Sequence, residues 1–149
     1  MTPKELVAEF IRRCDAAASG SDAGDAYALL AEDVDVRVQG RTILSGDYPN
    51  REIVKMVLVG SVSPRVAKAN VELDSMIADG NKVATLLKIT GETPEGKVYN
   101  PNRDPGGCVF TVNGDEIAGI NLFLDNTMVE TVLLGRQYLP ASQTAEVQS

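Results

Sequence analysis

The chain contains no histidine and no tryptophan, and only two cysteines in 149 residues. Without imidazole, a Ser-His or Cys-His nucleophile pair and the usual zinc sites are excluded. Cys14 and Cys108 lie far apart and lack metal-ligand spacing, so they read as buried thiols rather than as a disulfide. Basic residues are also few: 14 Lys and Arg stand against 21 Asp and Glu, a net charge of −7. That balance argues against nucleic acid or an anionic membrane as partner, since both need a basic face. No apolar run approaches the ~20 residues of a membrane span, and the N-terminus lacks the apolar core of a signal peptide. The expected location is the cytoplasm. No internal repeat or low-complexity tract is present.

What remains is an ordinary globular composition, 44% hydrophobic and 23% charged. The length predicts a single domain over residues 1–140, with a polar, disordered tail over 141–149. A chain of this size buries roughly 70% of its unfolded surface, enough for a core and one pocket.

Thr2-Pro3-Lys4-Glu5 is a capping box with proline at the first helical position. Leu6, Val7, Phe10, Ile11, Cys14 and Ala18 then recur at helical spacing, predicting a helix to about Ala18. A short second helix, capped by Asp22, carries Ala26, Leu29 and Leu30. From Val34 to Gln39 valines alternate with Asp35, Arg37 and Gln39, the pattern of a half-buried strand. Gly40 turns it into Arg41–Leu44, and 45–50 reads as a loop whose Asn50 caps a third helix with Ile53, Val54, Val57 and Leu58 inward. Long strands follow, from Pro64 to about Ala78 and from Lys82 to Thr93, joined at Asp79-Gly80-Asn81.

The most informative stretch runs from Lys97 to Leu134. Two apolar runs, VFTV and IAGINLFL, are joined by Asn113-Gly114-Asp115, a strong hairpin signal because primed turns need positive φ. Asp125-Asn126-Thr127 then caps a short closing helix. Gly96-Lys97-Val98-Tyr99-Asn100, Val109-Phe110, Gly114-Asp115-Glu116-Ile117 and Leu124-Asp125-Asn126-Thr127-Met128-Val129 together resemble the C-terminal half of SnoaL-like proteins. These form part of the ketosteroid-isomerase-like, nuclear-transport-factor-2-like superfamily. The resemblance implies an α+β fold, a cone-shaped curved antiparallel sheet wrapping N-terminal helices (a cystatin-like α+β barrel), with a pocket at the wide end.

Position by position, the resemblance also shows what this chain has given up. The isomerases' general base falls on Val38, their oxyanion-hole tyrosine on Cys14, and their neutral aspartic acid on Cys108. The acidic residue that SnoaL-type cyclases and limonene-epoxide hydrolases carry on the last long strand falls on Leu122. The hydrolases' Arg and Asp fall on Leu86 and Lys88. A valine, leucines and thiols supply neither the base nor the strong donors that dienolate chemistry needs.

The sequence therefore predicts an apolar substrate pocket built from Phe10, Cys14, Val36, Val38, Met56, Leu86, Cys108, Phe110, Leu122 and Leu124. Tyr99, Lys88 and Asp104 are the polar residues proposed to act in it. Asn100–Gly107, with two prolines and two glycines, reads as a lid over the mouth that brings Asn100, Arg103 and Gly106 near a ligand. The resemblance implies a cofactor-independent cyclase for a hydrophobic polyketide-type substrate, similar to indane-forming polyketide cyclases. Ring closure, as in a [4+2] cycloaddition, would then come from folding the substrate. Two alternatives stay open: an acid-base isomerase or epoxide-opening enzyme of the same fold, and a non-catalytic ligand-binding or dimerisation module. Leu87 and Ile89, assigned to the outer sheet face, predict a homodimer.

Overall fold

A computed structural model describes residues 1–20 and 22–136. The tail expected to be disordered, 141–149, lies outside the described residues. Helix α1 (Pro3–Ala18) begins as its capping box dictates, with the Glu5 amide donating to Thr2 Oγ1 at 3.2 Å. Leu6, Val7 and Ile11 form its buried stripe. Its last turns are fastened to the rest of the fold by Asp15, whose Oδ1 accepts from the Val71 amide at 2.8 Å and from Asn70 Nδ2 at 2.9 Å. Helix α2 (Gly24–Tyr27) is a single turn, tied to α1 where Arg13 Nη1 donates to the Asp25 carbonyl. Leu29 and Leu30 lie beyond it, and Leu30 already opens the first strand.

Strands β1 (Leu30–Val38), β2 (Gly46–Tyr48), β3 (Lys68–Asp79), β4 (Lys82–Glu92), β5 (Val98–Tyr99), β6 (Pro105–Asn113) and β7 (Glu116–Leu122) form one sheet in the order β2-β1-β7-β6-β4-β3, with β5 paired to β4. Together with the N-terminal helices this is the expected α+β cone. The sheet is mixed, however: β1 and β7 run parallel while every other pair is antiparallel. The chain leaves β1 through β2 and α3 (Arg51–Val57), so it returns to β1's side only after the long β3–β7 meander. Bulges lie in the β1/β7, β3/β4 and β6/β7 pairings and add local twist to the sheet.

Several local expectations shift. The partner of β1 is Gly46–Tyr48 inside the expected loop, not Arg41–Leu44, which form a turn closed by the Ser45 amide donating to the Thr42 carbonyl. Pro64 sits in a 3-10 turn (Ser63–Arg65), and β3 begins four residues later, at Lys68. In the last hairpin Asn113 pairs with Glu116, leaving Gly114-Asp115 as the turn. Only Gly114 has positive φ, +63°, as a turn with glycine at its first central position requires.

The core joins Leu6, Val7 and Ile11 of α1 to Val34, Val83, Phe110, Val112 and Ile117 of the sheet, all at most 4% exposed. Phe10 meets Phe110 edge-on, ring centroids 6.0 Å apart at 72°. A second cluster, around Leu44, Tyr99 and Val129, packs the closing turns α4 (Asn126–Met128) and Val129–Leu133 across the far end. Gly40, at φ +116°, lies against α4 so tightly that an added Cβ would come within 2.2 Å of the Asn126 side chain. Asn50 caps α3 as expected, its Oδ1 accepting from the Ile53 amide at 2.9 Å. Asn50→Ala is expected to lower stability by about 1 kcal/mol, read as a reduced urea midpoint at unchanged slope.

Candidate functional site

Cross-strand register decides which side chains the cone encloses. Val36, Ile120, Phe110 and Val83 are paired in one row across β1, β7, β6 and β4. Val38, Leu122, Cys108 and Thr85 form the next. Directly paired residues share a face, so both rows point the same way, toward α1. Between them and the helices is a cavity of about 440 Å³. Phe10, Ile11 and Cys14 of α1 form its floor, and Val54, Val57 and Leu58 of α3 and the π-helical turn after it (Leu58–Val62) form one side. Leu44, Tyr99, Leu124 and Leu133 close the far end.

No charged side chain lines this cavity among the described residues. The residues of its lining that carry a hydroxyl or thiol are Tyr27, Tyr48, Tyr99, Thr90, Cys14 and Cys108. Tyr48 donates to the Leu44 carbonyl and is thereby occupied. The Tyr27 ring lies beneath the Lys55 ammonium, 5.2 Å from its centroid. Tyr99 is 5% exposed, and its oxygen accepts from the Asp125 amide at 3.0 Å. Burial pushes the Tyr99 phenol above its ordinary value, so it stays protonated at neutral pH. Burial likewise pushes both thiols up to about 12. Each is free, and each is a neutral, non-nucleophilic sulfur at physiological pH.

Of the residues singled out in the sequence, Phe10, Cys14, Val36, Val38, Tyr99, Cys108, Phe110, Leu122 and Leu124 line this cavity. Leu86 and Lys88 do not. In β4 it is Val83, Thr85 and Leu87 that are buried, and Leu87 and Ile89 line the cavity. Leu86 is 42% exposed on the other face, and Lys88 pairs there with Asp74 at 3.5 Å. The physical reason is register: Thr85 and Val83 oppose Cys108 and Phe110, which fixes the inward parity of β4 as odd. Leu87 and Ile89 are therefore not on the outer face, contrary to the sequence expectation. Met56 is also misplaced, at 70% exposure, because it follows Val54 by two residues and so projects from the opposite side of α3.

The expected lid is fastened elsewhere. Asn100 Nδ2 donates to the carbonyls of Ile89 and Asp104, and Asn100 Oδ1 accepts from the Asp104 amide at 3.0 Å. Asn100 and Arg103 take positive φ, +54° and +55°, to make this tight turn. Arg103 reaches across to the Glu72 carboxylate on β3. Pro105 is the first residue of β6 and Gly106 packs against the Phe123 carbonyl. No residue from 100 to 107 lines the cavity, so Asp104, Asn100, Arg103 and Gly106 lie away from it. Sequence reasoning missed Tyr48, Leu44 and Val62 as wall, while it placed Val54, Val57 and Leu58 inward. Tyr48 had a signal, since it follows a glycine-bounded gap after an alternating strand.

This is the cone fold of nuclear-transport-factor-2-like (NTF2-like) proteins. An NTF2-like protein of unknown function from Burkholderia pseudomallei superposes with a TM-score of 0.75 at 15% identity, over 89% of this chain and 98% of that one. A candidate SnoaL-like polyketide cyclase from Jannaschia sp. CCS1 gives 0.67 at 12% identity, over 91% and 93%. The Mycobacterium tuberculosis protein RV0760c, in complex with estradiol-17β-hemisuccinate, gives 0.67 at 16% identity, over 86% and 98%. No protein-family model and no curated protein matches the sequence. No helix among the described residues is long and apolar enough to cross a membrane.

The raised thiols give a direct check on the burial of Cys14 and Cys108. At pH 8, Cys14 and Cys108 should be alkylated by iodoacetamide at least ~100-fold more slowly in the native protein than in urea, as followed by intact mass.

Proposed function

We propose that the cavity receives a neutral hydrophobic small molecule and that the protein is a cofactor-independent cyclase acting on a linear polyketide-type chain. The observation that carries this reading is an apolar cavity of about 440 Å³ with no charged lining residue among the described residues. Burying an ionised ligand there would carry a large uncompensated desolvation cost. Burying a flexible apolar chain is favourable at about 25 cal/mol per Å². Confinement also removes the rotational freedom that keeps the two reacting ends of such a chain apart. A [4+2] closure suits these walls because two σ bonds and one π bond replace three π bonds with no proton transferred. The steroid-type ligand of the Mycobacterium neighbour and the cyclase designation of the Jannaschia protein support a greasy, ring-forming substrate class.

Acid-base isomerisation is the less favoured reading. Lys88 and Asp104 lie outside the cavity, and the remaining candidate, Tyr99, is a neutral phenol.

Incubation of the protein with a linear polyene bearing a diene and a terminal alkene tests the proposal. The expected result is a cyclic isomer of unchanged mass, formed faster than in buffer. Leu122→Trp, which fills the space between Val38 and Cys108, should reduce that rate by about tenfold or more. Binding of the polyene without ring closure would leave a ligand-binding module in place of the cyclase.

We propose further that the outer sheet face pairs with a second copy of the chain. Leu86 and Phe123 are 42% and 47% exposed on that face, flanking the bare backbone of Gly107. Lys88 and Asp74 place both charge signs beside them, so the surface is complementary to itself. Phe123→Glu should convert a dimer to a monomer in sedimentation. A wild-type monomer at micromolar concentration would refute the pairing.

A further inference from the structure

Among the hydroxyl-bearing residues of the cavity wall, Tyr99 holds a particular position. Strand β5 is only two residues long and pairs with the distal end of β4, with Tyr99 opposite Gly91. Leu44 and Val129 pack with the ring in the second core cluster and hold it in place. At its tip the oxygen already accepts the Asp125 amide. The carboxylate of the same Asp125 is engaged by the Met128 amide at 3.1 Å. The Tyr99 hydroxyl proton, by contrast, has no acceptor among the described residues, and the Tyr99 side chain is part of the apolar cavity's wall.

We propose that Tyr99 is the specificity-determining donor of the site, and that the ligand carries a neutral acceptor oxygen, a carbonyl, which receives the Tyr99 proton. A buried donor left without a partner is costly, whereas one that meets an acceptor is stabilising. The bond received from Asp125 polarises the hydroxyl and strengthens the bond it gives. Tyr48 does not serve the same purpose, because its proton is already held by the Leu44 carbonyl. The two thiols are weak donors. The ligand is thereby oriented, with its carbonyl toward Leu124 and the closing turns and its hydrocarbon body toward Phe10 and Phe110. For a conjugated carbonyl, the hydrogen bond also draws electron density out of the adjoining alkene, which makes that alkene the better acceptor partner in a cycloaddition.

This inference rests on the cavity being the ligand site, and the test separates the two. Fluorenone and fluorene are a rigid pair of tricyclic probes differing by one carbonyl. Their dissociation constants are measured by calorimetry on the full chain, and the carbonyl band of bound fluorenone by infrared difference spectroscopy. Fluorenone should bind about fivefold tighter than fluorene, with its carbonyl band shifted to lower wavenumber than in hexane. Tyr99→Phe should abolish both the preference and the shift while leaving fluorene affinity unchanged. Equal binding of the two probes with an unshifted band would overturn the assignment of Tyr99 and leave the cavity reading standing. A shift that survives Tyr99→Phe would equally overturn it. If neither probe binds, the cavity reading fails and the donor assignment fails with it. Equal wild-type binding overturns the assignment without any variant; where Tyr99→Phe does not fold, Tyr27→Phe and Thr90→Val take its place, and loss of the preference and the shift in either would overturn the assignment.

Discussion

The register of four strands governs everything else in this molecule. Because Leu122 lies opposite both Val38 and Cys108, and Cys108 opposite Thr85, one parity is imposed on β1, β7, β6 and β4 together. A slip of one residue in any of these pairs would exchange its cavity-facing set for the outer one. The hydrogen bond from Thr85 Oγ1 to the Cys108 carbonyl, 2.7 Å and fully buried, pins one of those pairs. The Asn70–Asp15–Val71 contact then seats α1 over the rows, so the floor of the cavity follows from the sheet's register.

The polar groups are distributed to match. Opposite charges meet on the outer surface, as in Lys88 with Asp74, Arg103 with Glu72 and Arg37 with Asp47. There water screens them, and each contributes little to stability. Inside, the titratable groups at the wall are phenols and thiols that burial keeps neutral. A cavity of this kind exerts almost no long-range field on its contents, so shape and neutral hydrogen-bonding groups are the means it has of telling ligands apart.

How far this was legible in the sequence depended on how unambiguous each pattern was. In β1, valines alternate with Asp35 and Arg37, and the two faces separate on inspection. The first helix, with its complete capping box, and the Asn50 cap were equally plain. In β4 the run Val83-Ala84-Thr85-Leu86-Leu87-Lys88-Ile89 is apolar on both faces, and only its pairing with β6 reveals which set is enclosed. Met56 adjoins a helical stripe without belonging to it. The segment from Asn100 to Gly107 combines turn formers that suit a mobile lid or a rigid corner equally well. The hydrogen bonds of Asn100, which decide between them, are tertiary and leave no local signature. Most of the cavity wall could therefore be named in advance, while the acid-base candidates could not. The wall follows from apolar periodicity, but the position of a single charge depends on the parity of its strand.

Gly40 and Asn126 illustrate a different kind of constraint. The side chain of Asn126 occupies the volume that any residue larger than glycine would need at position 40. Any side chain at position 40 would have to adopt φ +116°, which L residues rarely take, and would also push the Asn126 side chain aside. Because Asn126 adjoins the residue whose amide holds the Tyr99 oxygen, history at a surface turn and chemistry at the end of the cavity are bound together. Drift at the one is limited by what the other can tolerate.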